Sequence, residues 1–183
     1  INAAYKNQIN DAWNLQLKAG YRYYNRSWEE DNFPDLRLRE KGGVKQNIVP
    51  ADLAVNFKHM GKSVLTFGSD FQYADYKTTS EVDGEESTGN KVDAINAGLY
   101  VQEKIVYDKW VFRAGGRYNY TKHNYDMIGG TEPSDSDKSW DKLLWSAGVR
   151  YNFMPALAFF ANAGTSYLVP SAKSVGGTLL PED

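Results

Sequence analysis

No cysteine occurs in the chain, so neither a disulfide framework nor thiolate chemistry is available to it. Histidine is scarce: His59 and His123 are the two present, and neither has a serine and a carboxylate near it in sequence. No phosphate-binding loop or dinucleotide fingerprint occurs. Basic residues are scattered and the net charge is −2, which gives no basic stripe for nucleic acid. There is also no apolar run long enough to cross a bilayer as a helix. The first residues, Ile1-Asn2-Ala3-Ala4, have neither a basic n-region nor an apolar h-region. The expectation is therefore a mature chain or a piece of a longer one. These absences together argue against an enzyme, and they call for no cofactor and no resident metal.

What is abundant is aromatic. There are 13 Tyr, 8 Phe and 5 Trp, a load that suits strands and membrane interfaces. They fall in strict alternation. Trp110, Phe112, Ala114, Gly116, Tyr118 and Tyr120 share one face of an extended chain, opposite Val111, Arg113, Gly115, Arg117 and Asn119. The same period organises Trp13 to Tyr23, Leu53 to Phe57, Leu65 to Tyr73 and Leu143 to Tyr151. Helical spacing fits none of these stretches.

The alternation predicts eight strands, at about 1–9, 12–27, 47–59, 62–80, 91–107, 110–126, 138–153 and 156–168. Short turns fall at Asn10-Asp11, His59-Met60-Gly61, Asp108-Lys109 and Met154-Pro155. Between them lie longer polar segments, read as loops at 28–46, 81–90 and 127–137. Short turns at one end and long loops at the other describe an antiparallel up-and-down transmembrane β-barrel.

A soluble lipocalin-like barrel also alternates, but turns its apolar face inward. The spacing of the aromatics favours lipid. Trp13 and Tyr23 are ten residues apart, as are Trp110 and Tyr120. Ten strand residues tilted near 40° rise roughly 26 Å, close to the height between the aromatic girdles of outer-membrane barrels.

Particular segments carry a family likeness. Ala97-Gly98-Leu99-Tyr100-Val101-Gln102-Glu103, followed by Trp110-Val111-Phe112-Arg113-Ala114-Gly115-Gly116-Arg117-Tyr118, resembles TonB-dependent outer-membrane receptors. So do Ser146-Ala147-Gly148-Val149-Arg150-Tyr151 and Leu157-Ala158-Phe159-Phe160-Ala161-Asn162-Ala163. Tyr167-Leu168-Val169-Pro170-Ser171 and Leu179-Leu180-Pro181-Glu182 follow in the family's order. The resemblance implies a bacterial outer-membrane location and import of a scarce metal chelate, most often a ferric siderophore, sometimes haem or cobalamin. It also implies energy delivered by TonB through a plug domain. No plug, no TonB box and no closing aromatic-ended strand is found in residues 1–183, so the expectation is a middle portion of a larger barrel. The alternative is a complete eight-strand barrel with an adhesive or structural role.

Four residues stand out as weak ligand-binding candidates: Arg113, Arg117, His123 and Arg150. The arginines, with Lys18 and Arg22, line the polar face, where they attract an anionic chelate or else pair with Asp52 and Asp70. His123 falls near the long-loop end of its strand, where the resemblance places haem ligands. His59, beside a short turn, is a lesser candidate. Asp83, Glu85 and Glu86 have oxygen ligands but no EF-hand spacing, which favours a solvated acidic tip over a calcium site. Glu29-Glu30 sits in an expected loop, with none of the burial that paired catalytic carboxylates require.

Overall fold

The computed structural model describes residues 1–31, 39–133 and 135–169. They form one antiparallel sheet of nine strands: β1 (Asn2–Gln8), β2 (Trp13–Gly20), β3 (Arg22–Asp31), β4 (Arg39–His59), β5 (Ser63–Val82), β6 (Glu85–Tyr107), β7 (Trp110–Met127), β8 (Asp137–Met154) and β9 (Leu157–Gly164). Spatial order follows chain order, except that β2 and β3 both pair with β4. Trp13 faces Phe57 and Arg22 faces Ile48, so the register continues unchanged across Tyr21. β2 and β3 are thus one strand with a single irregular residue, and the expected number of eight holds. The break lies beside Pro50, which has no N–H to donate to the ladder.

Two expected loops are corrected. Segment 81–90 is almost entirely strand, closed by the two-residue turn Asp83-Gly84. Both turn residues have positive φ, 52° and 85°, the type I′ geometry that matches strand twist. Much of 28–46 is also strand, in β3 and β4, and its remainder, 32–38, lies outside the described residues. Among the described residues, the connection between β7 and β8 is the one extended loop. The alternation signal failed here for a physical reason. A strand shows period 2 only where one face meets an apolar medium. β4, β5 and β6 are 21, 20 and 23 residues long, about twice the ~9–11 a membrane-spanning strand needs, so their upper halves meet water on both faces.

Register sorts every side chain onto one of two faces. One carries Trp13, Leu15 and Leu17 of β2, Leu53, Val55 and Phe57 of β4, and Leu65, Phe67 and Phe71 of β5. It continues through Leu99, Val101 and Ile105 of β6, Phe112, Ala114 and Tyr118 of β7, and Leu143, Trp145 and Val149 of β8. The other face is polar. Almost nothing apolar is buried between them: Ala54, Ala74, Val92 and Tyr125 are the described hydrophobic residues that water hardly reaches. A soluble domain of this size would hide most of its large apolar residues. Here Leu99 is 63% exposed and Leu143 77%, which is expected of side chains meant for lipid.

The apolar band is bounded at both edges. Towards the short turns lie Trp13 against Phe57 (ring centroids 4.6 Å apart) and Trp110 against Tyr151 (4.5 Å). Towards the long ends the aromatics give way, on the same face, to a polar collar. Tyr21 donates to Asn47 (2.6 Å), Asn47 to Asp75 (2.9 Å) and Tyr73 to Asp93 (3.2 Å). Above these, Lys91 meets Asp126 at 2.7 Å and Lys122 meets Asp137 at 2.8 Å. Burial of this face therefore stops where an ordinary bilayer's hydrocarbon would stop.

β1, with β3 beyond it, forms one edge of the sheet and β9 the other, and the two edges do not pair with each other. The self-closed eight-strand barrel considered as an alternative is not what these strands form. Unpaired edges in lipid would leave backbone N–H and C=O groups unsatisfied, so further strands must meet them.

Candidate functional site: the lumen wall and its outer rim

The polar face is organised as cross-strand ladders. Thr66 donates to Asn56 at 2.8 Å, and Asn56 to Asn14 at 3.5 Å. Higher on the wall, Arg117 makes a forked contact with Asp70, Nη1 to Oδ2 at 2.7 Å and Nη2 to Oδ1 at 2.8 Å. Its Nε also bonds Asn119, and its guanidinium lies 5.8 Å from the centroid of the Tyr100 ring. Two glycines make room for this arrangement. A Cβ on Gly98 would come within 2.3 Å of Arg117 and 2.9 Å of Asp70, and one on Gly68 within 2.1 Å of the Tyr100 ring. Tyr100 is the cross-strand partner of Gly68 and covers the backbone that the glycine leaves bare.

The candidate arginines therefore separate. Arg117 is held by Asp70, and Lys18 lies 4.0 Å from Asp52, the structural pairings that the sequence allowed. Arg113 and Arg150 face the lumen nearer the short turns and have no carboxylate partner among the described residues. Arg22, at the opposite end, has none either among the described residues.

His123 faces the lumen three residues beyond Tyr120, above the outer aromatic girdle. It is buried, 5% exposed, edge-on to Trp140 (5.1 Å) and Tyr125 (6.0 Å), with Nδ1 3.2 Å from the Tyr125 hydroxyl. Its ring neighbour Tyr125 is in turn covered by the extended loop. Ile128 and Thr131 bridge across Gly129-Gly130, both with positive φ. Gly130 donates to the Gly89 carbonyl (2.5 Å) and Gly129 to Asn90 Oδ1 (2.9 Å). Asn90 is fixed in turn by Thr78 (2.7 Å). The loop is thereby latched onto the β5–β6 hairpin, and Ile128 closes over Val92 and Tyr125. Register shifts at Thr78/Thr79 and Lys91/Val92 lie in the same region, where bulges bend strands.

Burial holds the His123 imidazole below its ordinary pKa, so the folded rim prefers the neutral ring. The unfolded segment takes up a proton more readily, so stability is lost as pH falls below the ordinary histidine value of about 6.5. Amide exchange at Thr121 and Tyr125 should accelerate between about pH 7.5 and pH 5.5, beyond its intrinsic pH dependence. His123→Phe should remove that acceleration. The same pH dependence in both proteins would contradict the assignment.

Other sequence candidates resolve differently. His59 is not in the lumen. It shares the outward face with Phe57, stacks on it at 5.7 Å, and places Nε2 3.0 Å from Glu103. Glu103 has the same parity as Val101 and Ile105, so this contact faces outward near the inner girdle. Asp83 occupies the hairpin turn while Glu85 and Glu86 begin β6, and no group of three possible metal ligands converges among the described residues. Glu29 and Glu30 are successive residues of β3 and point to opposite faces. Reading 28–46 as a loop also hid Trp28, and the candidates drawn from the sequence passed over Tyr24 and Arg26 in the expected strand 12–27. These lie on the lumen face of β3, with Trp28 laid over its partner Gly42. The signal that reveals them is parity carried past Tyr21.

The family model for the TonB dependent receptor-like β-barrel matches residues 1–179. The chain belongs to that family. Proteins of the family are bacterial outer-membrane proteins, which agrees with the lipid band above. Among solved structures, the sheet is similar to the copper transporter OprC (TM-score 0.75, 10% identity) over 89% of this chain and 29% of that one. It is also similar to the ferric citrate transporter FecA (0.66, 14%) over 89% and 26%. A third likeness is to the siderophore receptor PiuA from Acinetobacter baumannii (0.62, 10%) over 88% and 31%. At such identities the likeness is one of fold. The chain spans less than a third of the length of each of these three structures. No curated protein matches it. The motif segments 170–171 and 179–182 lie outside the described residues.

Proposed function

We propose that this chain is part of the wall of a receptor that imports a scarce metal chelate, such as a ferric siderophore, across the outer membrane. The observation that carries the reading is the pairing of a lipid-facing band with a polar lumen face whose outer rim is folded over by a latched loop. A wall with no transport role needs no such inward-folded rim. Capture is assigned to the rim: the 128–136 loop, the 83–84 hairpin and the lumen face of β3, where Arg22 and Arg26 alternate with Tyr24 and Trp28. Arginine beside exposed aromatic rings suits an anionic, ring-containing chelate. Of the four original candidates, Arg117 and His123 act in this reading as wall and rim supports, while Arg113 and Arg150 lie too far towards the short turns to meet an arriving ligand. Energy from TonB, delivered through a plug domain outside this chain, completes the proposal.

The test uses the full receptor. Replacing 128–136 by a short glycine linker should abolish uptake of its chelate and lower binding by at least about two orders of magnitude, as when a binding-energy hot spot is lost. Heat-modifiable migration of the barrel should persist. Unchanged affinity in a correctly assembled variant would overturn the assignment of the rim.

A further inference from the structure

Above the apolar band, the outward face carries a row of three lysines. Lys45 (β4) is the cross-strand partner of Lys77 (β5), and Lys77 is the partner of Lys91 (β6). All three share the parity of Leu53, Phe71 and Leu99, so they point away from the lumen. Like charges directly opposite one another disfavour strand pairing unless something anionic lies upon them. Asp126 meets Lys91 at 2.7 Å, but Lys45 and Lys77 have no carboxylate partner among the described residues. The next acids on the same face of these strands are engaged elsewhere. Asp75 and Asp93 form the row two residues nearer the bilayer. Both Asp75 oxygens accept from Asn47, at 2.9 and 3.0 Å, and Asp93 accepts from Tyr73 at 3.2 Å. Farther out, Glu81 is met by Lys41 at 3.4 Å. Asn25, opposite Lys45 on β3, and Thr79, whose hydroxyl lies over Gly43, add neutral donors around the two free ammonium groups.

We infer that this row is a headgroup site for one phosphorylated glycolipid of the outer leaflet. Position selects a lipid. Lys45 stands four residues above Val49 and Asn25 two above Tyr23, and both Val49 and Tyr23 are exposed on the lipid side. Lysine stems at that height lie along the wall and bring their charge to the level where headgroups begin. Charge selects phosphate, since lysines grouped beside an apolar surface draw anionic lipid. Width selects the glycolipid. From β4 to β6 there are two strand intervals, roughly 10 Å, more than the single phosphate of a phospholipid covers. Two phosphates carried on a disaccharide span such a row. The inference is independent of which chelate is imported and concerns the outside of the wall, remote from the lumen.

The experiment titrates the full-length receptor, delipidated in detergent, with diphosphoryl lipid A and counts bound molecules by native mass spectrometry. One molecule should bind to the parent. K45Q/K77Q should lower that affinity at least about tenfold, because two lysine contacts to an anionic headgroup are lost together. K45R/K77R keeps the charge and should retain binding, and K104Q, on the lumen face, should leave it unchanged. Barrel assembly is followed by heat-modifiable migration. Should K45Q/K77Q fail to assemble, the parent is titrated with the same glycolipid lacking one phosphate and lacking both, and affinity should fall stepwise. Equal affinity in K45Q/K77Q and parent would overturn the inference, as would equal affinity for the phosphorylated and dephosphorylated forms. Phosphatidylglycerol competing as well as the glycolipid would assign the row to any anionic lipid and overturn it too. So would binding that EDTA abolishes in parent and variant alike, since a cation on Asp75 and Asp93 would then hold the headgroup.

Discussion

Replacing Val101 with arginine should destabilise the assembled barrel by about 2–4 kcal/mol, the depth-dependent loss expected for a lipid-facing charge near the bilayer midplane. Val101 pairs with Gly116, which stands six residues above Trp110 and four below Tyr120 in the strand bounded by the two girdles. No long stem can carry a charge from that position to either interface without cost. Gln102→Arg, one residue along, points into the lumen and should shift stability by less than about 0.5 kcal/mol. The contrast matters more than either value, because the same arginine enters adjacent positions of one strand, and a loss of β-propensity at Val101 accounts for no more than about 1 kcal/mol of it. Urea unfolding of the full receptor in bilayers measures it. Equal losses at 101 and 102, or a larger loss at 102, would mean that the faces have been assigned the wrong way round.

Removing the ring of Tyr125 should release the outer rim. Tyr125 is 5% exposed, packs with Val92 and Ile128, touches His123, and its backbone N–H donates to the Ser136 carbonyl at 2.6 Å. Large-to-small changes at buried aromatic sites cost about 3–5 kcal/mol, and here that loss falls on a small local core with no neighbours to absorb it. Tyr125→Ala should therefore leave the transmembrane sheet intact while opening the 128–136 loop. Tyr125→Phe keeps the packing and loses only the contact with His123, about 1 kcal/mol. Limited proteolysis at Lys138 should accelerate strongly in the first variant and little in the second. Chelate affinity should fall in parallel. A Tyr125→Ala protein as resistant as its parent would show that the loop is held by its backbone hydrogen bonds alone.

The transmembrane part of this fold was legible because lipid imposes a strict period on the chain. Trp110 to Tyr120 alternates with Val111 as its one exception, and the sheet follows it residue for residue. The upper halves were not legible for the converse reason. Glu85 to Asn90 reads as a polar loop, yet pairs strand to strand with Thr78 to Val82, since water on both faces removes the apolar partner of the alternation. The Asp83-Gly84 signal for a tight hairpin was available but was outweighed by the acidic composition around it. Among the site residues, the Arg117–Asp70 pairing followed from parity and charge. The covering of Tyr125, the ring neighbour of His123, did not, because it depends on a loop meeting strands some forty residues away in sequence, Gly130 on Gly89. The outward His59–Glu103 pair was readable in principle, as Glu103 shares the parity of Val101 and Ile105.

The most direct test of the whole account is an accessibility scan along β7. Single cysteines at 111 to 119 in the full receptor, held in bilayers, are challenged with a lipid-soluble quencher of an attached probe and with a water-soluble maleimide. The faces assigned by register predict alternation without a break: Phe112, Ala114, Gly116 and Tyr118 report lipid, while Arg113, Gly115, Arg117 and Asn119 report water. Loss of the alternation, or water at 112, 114, 116 and 118, would contradict a lipid-facing wall and with it the receptor function built on it.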